Sequence, residues 1–179
     1  MSGNSDLPAG DFAAWLSAMQ SALRGETDAD VPCGSCTACC TSSQFVPIGP
    51  DETDTLAHIP KELLFPAPRL SPGHFVLGYD ERGHCPMLTD GRCSIYDHRP
   101  RTCRTYDCRI FTATGLEVDA EADTKVEIAA RARRWSFTFP TDDDRRRHAA
   151  VRTAVRRVHA TSVTELAVRA VESHEEFLT

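Results

Sequence analysis

The sequence predicts an α+β fold: a small, irregular, cysteine-rich module with a short β-meander, flanked by an N-terminal helix and by C-terminal helices. Three observations lead to it. Apolar residues recur at helical spacing before residue 25 and again after residue 123. All eight cysteines fall between residues 33 and 108, mostly where no period is visible. Between residues 74 and 96, short apolar runs alternate with turn-forming Asp and Gly.

The elements are taken in chain order. Residues 1–10 read as a loose start. From Asp11, Phe12, Trp15, Leu16, Met19 and Leu23 fall on one face of a helix over 11–24, with Asp11 as N-cap and Gly25 as stop. An acidic linker (26–32) leads into 33–43, CGSCTACCTSS, a loop of small residues and cysteines. Residues 44–48 suit a short extended piece and 51–56 a short helix, and Pro60, Pro66 and Pro68 interrupt regular structure beyond it. Residues 74–79 suit a strand, 80–83 a turn and 84–88 its partner, with Asp90-Gly91 turning again toward Cys93. Pro100 opens a helical turn that contains Cys103 and leads to Cys108. A helix is expected over 123–135 and an extended link at Phe137 and Phe139. A second helix starts at Thr141 and runs to about His159, and a final one is capped by Ser162 and Glu165.

The 179 residues, 41 % apolar and 26 % charged, suffice for one domain, expected to span 1–179 with helix 11–24, cysteine module 33–111 and helical region 123–177. A net charge of −6 argues against general nucleic-acid binding. The arginines at 145, 146, 147, 152, 156 and 157 read as a solvated helix face offset by Asp142 to Asp144. The start of the chain has no basic, apolar or cleavage-site pattern, and no apolar run approaches a membrane span; the expected location is cytoplasmic. Thiols stay reduced there, so clustered cysteines read as metal ligands before disulfides. Phosphate-loop, nucleophile-elbow and H-E-x-x-H signatures are all missing, and no catalytic residue is assigned.

Cys33, Cys36, Cys39 and Cys40 form C-x2-C-x2-C-C, and Cys85, Cys93, Cys103 and Cys108 lie further along the chain. Thiolate is a soft ligand that selects zinc, copper(I) or iron–sulfur over magnesium or calcium. Adjacent residues are about 3.8 Å apart at Cα, and their side chains diverge, so Cys39 and Cys40 rarely share one mononuclear metal. Eight thiolates exceed what one tetrahedral zinc takes. Two four-ligand sites, or one cluster with extra thiols nearby, both stand, and either stitches the early loop to the later segment. Arg99 and Arg104 flank the second group and are expected to offset thiolate charge and hold thiol pKa values down, as groups contacting the cofactor. His58, His74, His84 and His98 are spare donors that eight cysteines make unnecessary, Tyr96 and Tyr106 suit packing, and Asp97 and Asp107 suit solvent or local arginines.

These residues resemble a family. Cys33-Gly-Ser-Cys36-Thr-Ala-Cys39-Cys40 is similar to the signature of the YkgJ-type CxxCxxCC cysteine cluster proteins, a zinc- or iron-chelating domain family. Cys85-Pro86-Met87-Leu88 resembles its C-P-x-L element, and the stretch from Cys93 through Ile95-Tyr96, Arg99-Pro100, Cys103-Arg104 and Tyr106 to Cys108 resembles its closing element. The resemblance covers residues 33–111 and implies that all eight cysteines bind metal. The expected centre is a 4Fe–4S iron–sulfur cluster and/or zinc, in a carrier, sensor or scaffold whose C-terminal helices offer a surface to a protein partner. A relative, the flagellin lysine methylase FliB, implies the alternative of an iron–sulfur enzyme using S-adenosylmethionine; a purely structural zinc module is the third reading.

Overall fold

The computed structural model describes residues 6–29, 31–68, 70–118 and 125–179. The architecture is mixed α+β, with small sheets among several helices. In chain order the elements begin with strand β1 (Leu7–Asp11), helix α1 (Phe12–Leu23), strand β2 (Val46–Ile48), helix α2 (Thr53–His58) and strand β3 (Leu64–Pro66). Strands β4 (Phe75–Leu77), β5 (Leu88–Thr89) and β6 (Arg92–Cys93) precede helices α3 (Arg101–Thr105), α4 (Arg109–Thr114) and α5 (Val126–Ala132). Strand β7 (Trp135–Thr138) and helices α6 (Asp142–Val155) and α7 (Val163–Ser173) complete the chain. Two compact units result: residues 1–30 with 107–179, and residues 31–106.

In the first unit, the segment expected to be a loose start is instead ordered as β1, which pairs in parallel with β7, Leu7 opposite Trp135 and Asp11 opposite Thr138. Partners so distant in sequence leave no local signal. The apolar face of α1 is buried as its spacing predicts, at Phe12, Trp15, Leu16 and Met19. The Phe12 ring meets Phe137 edge-on at 5.3 Å and stacks on Phe139 at 5.7 Å. The same unit holds a buried ion pair: Arg109 Nη2 is 2.8 Å from Asp107 Oδ2, with side chains 10 % and 2 % exposed. The same Asp107 oxygen accepts from the Trp15 indole N–H at 2.8 Å, and Arg109 Nη1 donates to the Ala9 carbonyl. Asp107 thereby joins α1, β1 and the start of α4.

Helix α6 starts where the sequence puts it. The Thr141 hydroxyl accepts from the Asp144 backbone N–H, and the Asp144 carboxylate accepts from the Thr141 backbone N–H. The Asp144 carboxylate also accepts from Ala13 N–H, and these bonds, the one from the Thr141 hydroxyl foremost, hold its carboxyl below the usual range. The helix ends at Val155, four residues short of the expected His159. Its arginines do pair with its own aspartates, Arg145 with Asp142 and both Arg146 and Arg147 with Asp143. Ala150, Val151 and Ala154 are buried, as are Ala167, Ala170 and Val171 of α7. The Ser162 hydroxyl caps α7 through Glu165 N–H, while the Glu165 carboxylate turns to the Thr161 N–H. The helix expected over 123–135 is α5, Val126–Ala132; it ends three residues short, Trp135 opening β7 instead, and residues 123 and 124 lie outside the described ones.

In the second unit, β2, β4 and β3 form an antiparallel sheet in that order. The strand expected at 74–79 thus pairs with β2 and β3, not with 84–88. The Asp80–Gly83 turn does form, closed by Gly83 N–H to Asp80 O at 2.9 Å. Asp90-Gly91, both at positive φ, join β5 to β6. Val46, Ile48, Ile59, Leu77, Met87 and Ile95 make up this unit's core.

Removing the Asp107 carboxylate leaves a buried guanidinium and an indole N–H without their acceptor. Asp107→Ala is expected to destabilise the protein by about 3–5 kcal/mol, read as a lowered urea midpoint; a change under about 1 kcal/mol contradicts the role assigned to the pair.

Candidate metal centre

The early cysteine loop is shaped by its own backbone. Gly34 takes a left-handed conformation, φ +58°, and Cys36 N–H donates to the Cys33 carbonyl at 3.0 Å. Next comes a 3-10 turn over Ala38–Thr41, with Cys40 N–H on the Thr37 carbonyl at 2.8 Å and the Ser42 hydroxyl on the Ala38 carbonyl. Adjacent positions on this turn diverge, as the spacing requires: Cys39 is exposed and Cys40 half-buried.

The later segment is clasped to this loop by main-chain bonds. Cys85 N–H donates to the Cys40 carbonyl at 2.7 Å, and Ser43 N–H donates to the Gly83 carbonyl at 2.9 Å. Gly83 has φ +78°, a left-handed backbone that favours glycine, and a Cβ there would displace the Ser43 hydroxyl. Cys85 and Cys93 pack against the apolar core of the unit, Cys93 opposite Leu88 across β5 and β6. Cys103 sits in α3, which Pro100 opens. The Thr102 hydroxyl on the Pro47 carbonyl (2.9 Å) and the Arg101 N–H on the Glu52 carboxylate hold that helix to β2 and to the residue preceding α2.

Four thiols, Cys40, Cys85, Cys93 and Cys103, are thereby brought into electrostatic reach of one another, and Cys36 into reach of Cys40. Burial, and then Cys85, Cys93 and Cys36, push the Cys40 thiol up to about 11. Cys103 presents part of its surface to solvent, yet protein mass crowds its thiol and, with Cys40, Cys85 and Cys93, pushes it upward. Burial raises Cys85 too, with a contribution from Cys93. Arg99 opposes the rise at both Cys40 and Cys103, which is the sign expected of it, but burial outweighs it and the net shift is upward. The Arg99 guanidinium lies 3.7 Å above the Tyr96 ring and donates to the Tyr96 carbonyl. Arg104 donates to the Arg99 carbonyl at 3.0 Å, so it braces Arg99.

The other residues singled out from the sequence occupy varied positions. Cys33 is half-buried in the early loop. Cys108 belongs to the helical unit, where it is buried and its sulfur accepts from the Trp135 indole N–H at 3.1 Å. None of the eight cysteines is joined in a disulfide. His84 donates its backbone N–H to Asp80, and His74 leans on Ser71. His58 and His98 stack on each other and share Asp54. Sequence reasoning did not single out Gly83, whose Asp-Glu-Arg-Gly turn was visible but whose contact with Ser43 was not, nor Asp54, whose i, i+4 relation to His58 was the available signal.

The donors suit a soft cation. Several thiols share one negative field once ionised, and a bound metal is what offsets it. A family model described as CxxCxxCC, putative zinc- or iron-chelating domain, matches residues 32–127, more than half of the chain. No curated protein and no solved structure matches it. Among the described residues, no helix is long and apolar enough to cross a membrane.

With Cys40, Cys85 and Cys103 all shifted upward, the metal-free thiols are protonated at neutral pH. Metal ligation needs thiolates, so loading zinc must release about one proton per ligating thiol. A pH indicator in weakly buffered solution reads this, and apparent affinity should fall as pH falls. Stoichiometric uptake with no proton release contradicts thiol ligation.

Proposed function

The chain belongs to the CxxCxxCC family of zinc- or iron-chelating domains, and we propose that it holds a 4Fe–4S iron–sulfur cluster, zinc, or both through its cysteine thiolates. The observation that carries this is the grouping of Cys36, Cys40, Cys85, Cys93 and Cys103 from two distant stretches of chain. Cys33 and Cys39, from the same early loop, enter the donor set from the motif; Cys108, which the motif also includes, lies in the helical unit with its sulfur on the Trp135 indole N–H. Arg99, held over Tyr96, offsets the negative charge of the thiolates, and Arg104 positions it through the Arg99 carbonyl. The centre, when bound, supplies electrostatic crosslinking of the two stretches and, as a cluster, a redox couple. The half-buried Cys85 and Cys93 set one side of it against the apolar core. The protein then acts as a carrier, sensor or scaffold for that centre.

Anaerobic purification followed by zinc, iron and sulfide analysis tests the reading. The wild type should retain metal, and Cys40→Ser and Cys93→Ser should each weaken retention by about 10- to 100-fold, with circular dichroism confirming the fold. Metal-free, folded wild-type protein, or full metal content in both variants, would refute the proposal.

A further inference from the structure

The second unit carries another set of ligand atoms, built without sulfur. Asp54 and His58 stand one turn apart on α2, at i and i+4, so both face the same side of the helix. His98 ends the 3-10 turn Tyr96–His98, and the Thr55 hydroxyl reaches the Arg99 carbonyl at 3.4 Å to tie that turn to α2. The two imidazoles lie parallel, 3.5 Å between centroids and 6° between planes. Asp54 meets both: His98 Nδ1 is 2.7 Å from one carboxylate oxygen, while His58 Nδ1 bonds the Asp54 backbone carbonyl at 2.8 Å and lies 3.7 Å from the other carboxylate oxygen. One ligand atom from each of the three residues falls within 4.8 Å of the other two.

Neighbouring acids are engaged elsewhere. Asp51 pairs with Arg101 at 2.6 Å, and Glu52 accepts from the Gly49 and Arg101 backbone N–H groups. Asp54 is the carboxylate bonded to the histidines, and it borders an open cavity of about 250 Å³ that Asp97, His98 and three arginines also line. Two imidazoles beside one carboxylate, with open space adjoining, supply the two-His-one-carboxylate donor set once the parallel rings turn a nitrogen each toward one point, and that set suits first-row divalent cations and leaves positions for water or a small ligand. Magnesium and calcium prefer all-oxygen sites.

We propose that Asp54, His58 and His98 bind one first-row divalent cation, such as nickel(II), zinc(II) or iron(II), at a site independent of the thiolates. The site is semi-exposed, its histidine side chains 42 % and 39 % accessible, so the cation exchanges with solvent and is held more weakly than one among thiolates.

The test uses untagged full-length protein carrying the metal with which it is purified. Equilibrium dialysis against nickel(II) should add about one equivalent in the wild type. That equivalent should be lost in the His58→Ala/His98→Ala double variant and weakened at least about tenfold in Asp54→Asn, while the originally bound metal stays. Both histidines are partly exposed, so circular dichroism should show an unchanged fold. As a second readout, nickel(II) should broaden the imidazole proton resonances of His58 and His98 before those of His74 and His159. Extra uptake that survives the double substitution, or no extra uptake at all, overturns the proposal. So does loss of the original metal along with the added nickel, which would place these histidines in the thiolate centre.

Discussion

The main-chain bond from Cys85 to the Cys40 carbonyl, with its companion from Ser43 to Gly83, brings two remote stretches side by side before any metal is considered. Everything else in the cysteine unit depends on that clasp. It sets Cys36 and Cys40 against Cys85 and Cys93, and α3 adds Cys103. Thiols crowded in this way resist ionising, because each new charge meets low polarisability and its neighbours' charge. One cation reverses the balance, since it stabilises every thiolate it touches. Under the proposed thiolate ligation, metal binding would be coupled to the final folding of this unit, as in other small cysteine-centred modules.

The helical unit is held by a different principle. Its junction is the Asp107–Arg109 pair, which collects hydrogen bonds from α1 and β1 and so satisfies the donors it buries. Trp135 is used twice, its N–H on the Cys108 sulfur and its ring 4.9 Å from the Arg131 guanidinium. The small residues of α6 and α7, alanine and valine in the main, are buried; Arg145, Arg146 and Arg147 pair with aspartates of their own helix, while Arg152 lies against Gly115.

Local patterns in the sequence were readable where the cause was local. The 3- and 4-residue spacing from Phe12 to Met19 produced α1, Thr141 with Asp144 produced a reciprocal cap, and Asp90-Gly91 produced its turn. The α+β class and the family were legible in the same patterns and in the cysteine spacing. Non-local pairing was not readable. Leu7–Asp11 contains Pro and Gly and looks unstructured until Trp135–Thr138 arrives beside it, and β4 finds its partners at 46–48 and 64–66 rather than across the next turn. At the site, the thiol chemistry was plain, while the direction of the thiol shifts was not. Arginine proximity is visible in sequence; the burial that outweighs it at Cys40 is not. Likewise the i, i+4 relation of Asp54 to His58 is local, and the stacking of His98 on His58 is tertiary.

X-ray absorption at the edge of the metal retained by anaerobically purified protein addresses the thiolate centre most directly. A first shell dominated by sulfur at about 2.3 Å is expected, diminished when Cys40 or Cys93 is replaced by serine. A first shell made only of nitrogen and oxygen at about 2.0–2.1 Å would contradict thiolate ligation.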